Sequence, residues 1–354
     1  GKNFPSYEKT KTLFLSSSFT KDLKNNLTFS HNLSYRHHYD NFILDRQNIS
    51  RYQNITTNNL FSSNFSLSTN NAVVGFEIGS EKLNSTKMNE HYAIKAALFS
   101  EYNKLLFKNL FLNLSTRIDW HKIYKWFFSP SFSTSYILSD NNNIKLSISR
   151  AFRAPSYTEL YYADPVNVGN PNLRPETALS YELAFNSRIF KNSSFSFAIF
   201  RRSEKNVIDW VKNSSDGKWY AENINKISLN GIESIFDIKI KSIFLSFSNT
   251  LISANQQNDL LNLKYGLKFP KLHSALTLTY IKDNLFSTNI KFTLKDRSNQ
   301  NSYFLTDVNI NFYIKSITIY LKCYNVFDTS YQDIVGIAMP GRWIFAGVSL
   351  NQLF

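Results

Sequence analysis

Six histidines, at 31, 37, 38, 91, 121 and 273, and one cysteine, Cys323, are the residues best suited to chemistry in this 354-residue chain. Nucleophilic hydrolysis would need a serine within hydrogen-bond reach of one of those histidines. Serines occur throughout and so mark nothing, and no nucleophile motif surrounds any of them. A lone cysteine excludes an intramolecular disulfide framework and a cysteine-built zinc cluster; on an apolar strand face it reads as a small packing residue. The densest polar and aromatic group is His37, His38, Tyr39 and Asp40, placed at the start of a long connection from Arg36 to Asn54 that also holds Tyr52. Adjacent histidines in extended chain project to opposite sides, which makes this pair a poor metal site. A second group, Tyr161, Tyr162 and Asp164, lies in the irregular block 149–185, SRAFRAPSYTELYYADPVNVGNPNLRPETALSYELAF. Tyrosines give broad, stiff surface for a large flat ligand, or pack a loop against its neighbours. Both groups suit contact rather than reaction, so the chain is not expected to be an enzyme.

The elements that would carry these groups follow a two-residue rhythm. Phe128, Pro130, Phe132, Thr134, Tyr136 and Leu138 alternate with Ser129, Ser131, Ser133 and Ser135. The same alternation sets Phe304, Val308, Ile310 and Phe312 against Asp307, Asn309 and Asn311, and Leu110, Leu112, Leu114 and Ile118 against Asn113, Ser115 and Arg117. In a strand this gives one apolar face and one wet face. With 31 Phe and 20 Tyr, the composition favours strands and turns. No run approaches the roughly 18 apolar residues of a membrane helix, but a closed barrel crosses a membrane with strands of weak individual hydrophobicity. The start, GKNFPSYEKTKTLF, lacks the apolar core of a signal peptide and reads as mature or internal sequence. A net charge of +14 is spread along the chain rather than gathered, which argues against nucleic acid and for an anionic membrane surface.

A soluble β-sandwich would share the alternation. Against it stand long strands, only 10 Gly and 8 Pro, and connections of two sizes. The short ones fall at 21–26, 69–71, 106–109, 139–143, 190–193, 239–242, 282–284 and 315–316; longer ones fall at 36–54, 150–176, 254–264 and 328–341. Short turns at one end and long loops at the other describe an outer-membrane barrel. Tyr35, Trp120, Trp126, Trp210, Trp219 and Trp343 near strand ends suit aromatic girdles at the membrane interfaces. The expectation is an all-β, transmembrane antiparallel β-barrel with about 17 strands across residues 1–354, the last from Arg342 to Phe354. Such barrels close with an even number, so the first strands are expected outside this chain.

The block 149–185 resembles the mid-barrel signature of TonB-dependent outer-membrane receptors. Its Arg-Ala-Pro turn contains Arg150, Arg153 and Pro155; its GNPNLRPE segment contains Asn170, Pro171, Pro175 and Glu176; SYELAF begins the next strand. The end of the chain, YNVFDTSYQDIVGIAMPGRWIFAGVSLNQLF, resembles the family's closing strands, with Gly341, Arg342 and a terminal Phe354 of the kind read by the barrel-assembly machinery. NINKISLNGIE at 223–233 resembles a third family segment. SYRHHYDNFILDRQNISRYQN looks most like the Bacteroidetes-type cobalamin (vitamin B12) receptors, with siderophore and haem receptors of the same family as alternatives. The resemblance implies a 22-stranded barrel whose plug domain and first strands are not in this chain. It also implies active uptake of a large scarce nutrient, energised by a TonB-type complex acting through that plug. Ligand contacts would come from His37, His38, Tyr39, Asp40, Tyr52, Tyr161, Tyr162 and Asp164. Arg150 and Arg153, which bracket the Arg-Ala-Pro turn, could line the lumen, where charge costs little; Arg342 reads as a structural residue, with pairing to an acidic lumen group as the alternative. No cofactor is implied beyond calcium in the extracellular loops. The implied partners are outer-membrane lipid, lipopolysaccharide and a surface lipoprotein. A passive porin or structural barrel is the rival reading, decided by whether a plug with a coupling segment precedes Gly1.

Overall fold

The computed structural model describes residues 5–256, 263–265, 269–283, 285–297, 301–333 and 337–350. The chain runs through β1 (Tyr7–Asp22), β2 (Thr28–Ile43), β3 (Gln53–Ser68), β4 (Ala72–Ser85), β5 (Asn89–Leu106), β6 (Leu110–His121), β7 (Lys125–Ser139) and β8 (Asn142–Arg153). A short helix α1 (Tyr157–Tyr161) and a two-residue strand β9 (Asn167–Val168) interrupt it. It resumes as β10 (Glu176–Phe190), β11 (Ser193–Lys212), β12 (Trp219–Ile240), β13 (Ile243–Gln256) and β14 (Pro270–Lys282). β15 (Phe286–Arg297), β16 (Tyr303–Ile314), β17 (Ile317–Tyr324) and β18 (Trp343–Leu350) complete it. Setting β9 aside leaves seventeen strands that pair in sequence order. Each is antiparallel to the next, with β8 joined to β10 across the irregular block. The last strand begins at Trp343 rather than Arg342, and Phe354 lies outside the described residues.

Register fixes which side chains share a face. Leu98, Ile118 and Phe128 stand abreast on β5, β6 and β7, as do Phe65 and Phe76 on β3 and β4. These apolar rows lie on the outward face and are exposed. Their neighbours in sequence form the other face, where Arg117 pairs with Glu77 at 3.0 Å and Asn113 bonds Glu101 at 2.9 Å. An outward face of hydrocarbon over a polar interior is stable only with lipid outside, because charge costs little on the lumen side and several kcal/mol at mid-membrane. The sheet is nonetheless open among the described residues: no pairing joins β1 to β18.

At one end every connection is a short turn, at the positions expected from the sequence. These turns are made with little glycine. Asn25, Asn26, Phe107, Lys108, Lys241 and Lys315 take positive φ instead, a conformation tolerated in tight hairpin turns where both central residues turn left-handed. The opposite end departs from expectation in two ways. Residues 86–88 and 122–124 connect β4 to β5 and β6 to β7 as tightly as the turns do. The connection placed at 36–54 shrinks to 44–52, because β2 pairs with β1 and β3 up to Ile43. His37, His38, Tyr39 and Asp40 are therefore strand residues, not loop residues: a mixed run with no apolar alternation still completes a ladder when both neighbours extend far enough to satisfy its backbone.

Candidate functional site

The irregular block folds into a cap over the loop end of the lumen. Arg153, the last residue of β8, ties it together. Its Nε and Nη2 donate to both oxygens of Glu176 at 2.6 and 2.8 Å, while Nη1 and Nη2 donate to Glu159 at 2.9 and 3.0 Å. One planar guanidinium thus fastens the first residue of β10 to helix α1 by two bidentate bonds. Glu159 also closes a capping box with Ser156, which satisfies the N–H groups of Ser156 and Glu159. Burial alone would raise the Glu159 carboxyl, but Arg153 and Ser156 hold it below the usual carboxylate range. Glu176 Oε1 further accepts from the Ile208 N–H at 2.7 Å. Asn170 carries the turn that follows, its Oδ1 accepting from the Asn172 N–H at 2.9 Å. Leu160 and Leu173 then bury against Ile208, Trp210 and Ala221 on β11 and β12.

The family-motif residues are therefore the fastening of the cap. Pro155 is buried at the approach to the helix, Pro171 stands in the turn, and Pro175 delivers the chain to β10, its carbonyl accepting from Asn206. Arg150 corrects the expectation: it stands opposite Leu179 on the outward face, away from the lumen, because it lies an odd number of residues from Arg153. Trp210 and Trp219 are also not girdle residues. Trp210 is buried beneath the cap and Trp219 packs against it, whereas Trp126 and Trp343 are well exposed. The Arg342 side chain makes no ion pair among the described residues. Its backbone N–H donates to Asp328 Oδ1 at 2.7 Å, and that same carboxylate occupies the space a side chain on Gly341 would need.

Beneath α1 lies a cavity of about 520 Å³ between the cap and the inner faces of β2 to β6. Asp40, Asn58, Tyr124 and Tyr157 line it, and in each a buried polar atom has no hydrogen-bond partner: Asp40 Oδ1, Asn58 Oδ1, and the two phenol oxygens. Buried polar atoms are nearly always satisfied, so four converging on one cavity give its walls free donors and acceptors for a polar occupant, water included. Burial pushes the Tyr124 phenol up to about 12, and the Tyr157 phenol further; both are neutral donors at physiological pH. The two carbonyl or carboxylate oxygens accept. Lys95 in the wall is paired to Glu81 at 2.9 Å, which leaves Asp40 as the one carboxylate there without a cation.

Of the expected ligand contacts, Asp40, His38 and Tyr162 line this cavity. His37 and Tyr39 face outward, as the extended-chain argument required of adjacent histidines. His38 Nδ1 meets Thr12 Oγ1 at 2.8 Å and His37 Nδ1 meets Asn59 Oδ1 at 2.8 Å. Tyr52 donates its hydroxyl proton to Tyr162 at 2.6 Å, locking loop 44–52 to the cap. Tyr161 stacks on His91 with ring centres 3.7 Å apart. Asp164 accepts from the N–H groups of Val166 and Asn167 at 2.7 and 2.6 Å and so shapes a turn; against the effect of burial, the bonds from Asn167 and Val166 hold its carboxyl low. Asn58, Tyr124, Tyr157, Glu81 and Lys95 were not anticipated. The signal lay in the alternation itself: Asn58, Glu81 and Lys95 are polar residues on the lumen parity near the loop ends of their strands.

The family model for the TonB dependent receptor-like β-barrel matches residues 2–326. The chain belongs to this family. As a TonB-dependent receptor barrel it is an outer-membrane protein, of a family of receptors and transporters rather than enzymes. It is 25% identical over 55% of its length to a vitamin B12 transporter, BtuB, of Vibrio vulnificus, covering 32% of that protein. It is 26% identical over 68% of its length to an iron-regulated outer membrane virulence protein of Vibrio cholerae, covering 42% of it. The crystal structure of the siderophore receptor PirA from Pseudomonas aeruginosa superposes with a TM-score of 0.77 at 20% identity, over 98% of this chain and 65% of that one. This receptor barrel thus spans about a third of the length of the vitamin B12 transporter it matches, and under two thirds of the solved receptor.

Proposed function

We propose that this chain is the ligand-facing, C-terminal part of a 22-stranded receptor barrel that takes up cobalamin. The observation that carries the reading is the set of four unsatisfied polar atoms around the cavity under α1. Two neutral phenol donors and two oxygen acceptors suit a ligand edge that offers acceptors and N–H donors together, as the carboxamide arms around a corrin ring do. The charge argues the same way. Asp40 and Glu81 against Lys95 leave the walls weakly acidic, which disfavours an anionic ferric chelate at this depth. A cavity of this size takes an edge of the macrocycle, with the rest in the open lumen. The relatives include a vitamin B12 transporter, which supports the reading.

The second reading is a siderophore receptor, favoured by the iron-regulated relative, which covers more of this chain. In either case, capture would come from the loop end, and transport from a plug moved by a TonB-type complex. Phe354 would address the barrel-assembly machinery, and a surface lipoprotein would cover the loops. Equilibrium binding of cyanocobalamin to the full-length protein tests the first reading. The expected result is saturable binding at micromolar concentration or below, with a ferric catecholate chelate failing to compete. Saturable binding of the chelate without cyanocobalamin would establish the second reading instead, and diffusion of small solutes with binding of neither would leave a passive pore.

A further inference from the structure

Tyr124, one of the two phenol donors in the cavity wall, belongs to the three-residue connection 122–124 between β6 and β7. That connection contains no glycine, and a side chain holds its backbone. His121, the last residue of β6, turns its imidazole into the turn. Its Nδ1 accepts from the N–H of Ile123 at 3.2 Å and, more weakly, from the N–H of Tyr124 at 3.5 Å. The His121 and Tyr124 rings stand 5.1 Å apart. Lys122 anchors the start of the turn, its N–H donating to the Ile94 carbonyl at 3.1 Å. His121, Ile123 and Tyr124 all line the cavity. One imidazole nitrogen thus fixes the direction in which the Tyr124 phenol is presented.

An imidazole nitrogen accepts a hydrogen bond only when it carries no proton. The turn therefore requires neutral His121, with its proton on Nε2. Protonation would turn Nδ1 into a donor facing two donors. It would also set a second cation against Lys95, which stands directly opposite His121 on β5, and like charges so placed destabilise a ladder. The other titratable groups around the ring do not offset this. Glu81 on β4 is already bonded to Lys95, and Lys125, opposite on β7, adds positive charge. Asp119, two residues back on β6, is bonded to Arg117. From the cap, Tyr157, Tyr161 and Glu159 approach Tyr124, and Glu159 is bonded to Arg153. His121 sits at the loop rim, one residue past the outward Trp120, where burial and then Lys95 hold its imidazole below the ordinary value.

We infer that His121 is a positioning residue for ligand capture: its neutral imidazole aims the Tyr124 phenol into the cavity, and protonation withdraws that donor. The inference rests on the cavity being the ligand site. Capture is then gated by pH. The donor is fully presented above the ordinary imidazole value of about 6.5, and is lost as pH falls through the lower value of the folded protein. The carboxyls of Glu159 and Asp164, held low, titrate beneath this window.

The test measures cyanocobalamin binding by the full-length protein in detergent from about pH 7.5 to about pH 5, with amide hydrogen exchange across 119–128 as a ligand-free readout. Heat-modifiable gel migration checks that each variant is folded. The unaltered protein is expected to bind about two- to tenfold more weakly at the acid end. H121N keeps an acceptor near the Nδ1 position and cannot titrate, so it should match the unaltered protein at neutral pH and hold that affinity in acid. H121L, which has no acceptor, should bind about two- to tenfold more weakly at every pH, and adding Y124F to it should cost nothing further. In exchange, the unaltered protein should match H121N at neutral pH and lose protection at Ile123 and Tyr124 relative to it in acid. An acid loss shared by H121N, full affinity in H121L, or an additive effect of Y124F would each overturn the inference. If the unaltered protein binds no cyanocobalamin, the cobalamin reading fails and exchange decides by itself: equal protection with H121N across the range would overturn the role of His121, and acid loss in the unaltered protein alone would uphold it.

Discussion

At the residue scale the molecule separates fastening from contact. Arg153 bonds two carboxylates that belong to different elements, so replacing it with methionine frees α1 and β10 together. Its side chain is 46% exposed, so the effect is discounted for solvent screening; a loss of about 1–2 kcal/mol in cap stability is expected. Limited proteolysis within 154–175 should accelerate roughly tenfold, with the strands intact. The carboxyls of Glu159 and Asp164 sit below their ordinary values, so the stability they contribute is full above the unfolded carboxylate range and is lost as pH falls through the lowered folded values. Proteolytic protection of the cap should therefore hold from neutrality to about pH 5 and decline below about pH 4. Y124F and Y157F remove one donor each from the cavity. Each should weaken ligand binding about two- to tenfold, while H37N, which acts on the outward face, should not. The sequence made Arg153 and Glu176 legible as a motif but not as a bonded pair, since 23 residues separate them and only the folded cap brings them together. Tyr124 and Tyr157 were illegible for the same reason: a phenol's missing partner is a property of the cavity.

At the element scale, alternation decided nearly everything that was readable. Strand faces, that of Arg150 apart, and all eight short turns lay open in the sequence because a two-residue period survives wherever one face meets hydrocarbon. Ladder length did not. β2 continues through His37 to Asp40 because β1 and β3 extend alongside it, and no local preference records a neighbour's length. The short connections at 86–88 and 122–124 escaped as well, although they turn on positive-φ residues, Asn89 and Lys125, just as the legible turns do. The unpaired outer edges of β1 and β18 have a consequence of their own. Both strands are long or apolar, and both are largely exposed. An open edge of this kind recruits another strand. The 354-residue chain in detergent should form edge-joined oligomers, seen by light scattering.

For the whole molecule, the two faces have different roles that follow from one register. The outer face carries aliphatic and aromatic rows that end in cations near the loops, and the inner face carries the polar network that closes under the cap. Labelling at single cysteines tests this division most directly. With Cys323 replaced by alanine, cysteines are placed one at a time from Phe128 to Tyr136 on β7 of the full-length protein in intact outer membranes. A lipid-soluble maleimide should label positions 128, 132 and 136, and a small water-soluble one positions 129, 131, 133 and 135, in strict alternation. Uniform labelling by the water-soluble reagent along the whole segment would contradict the account.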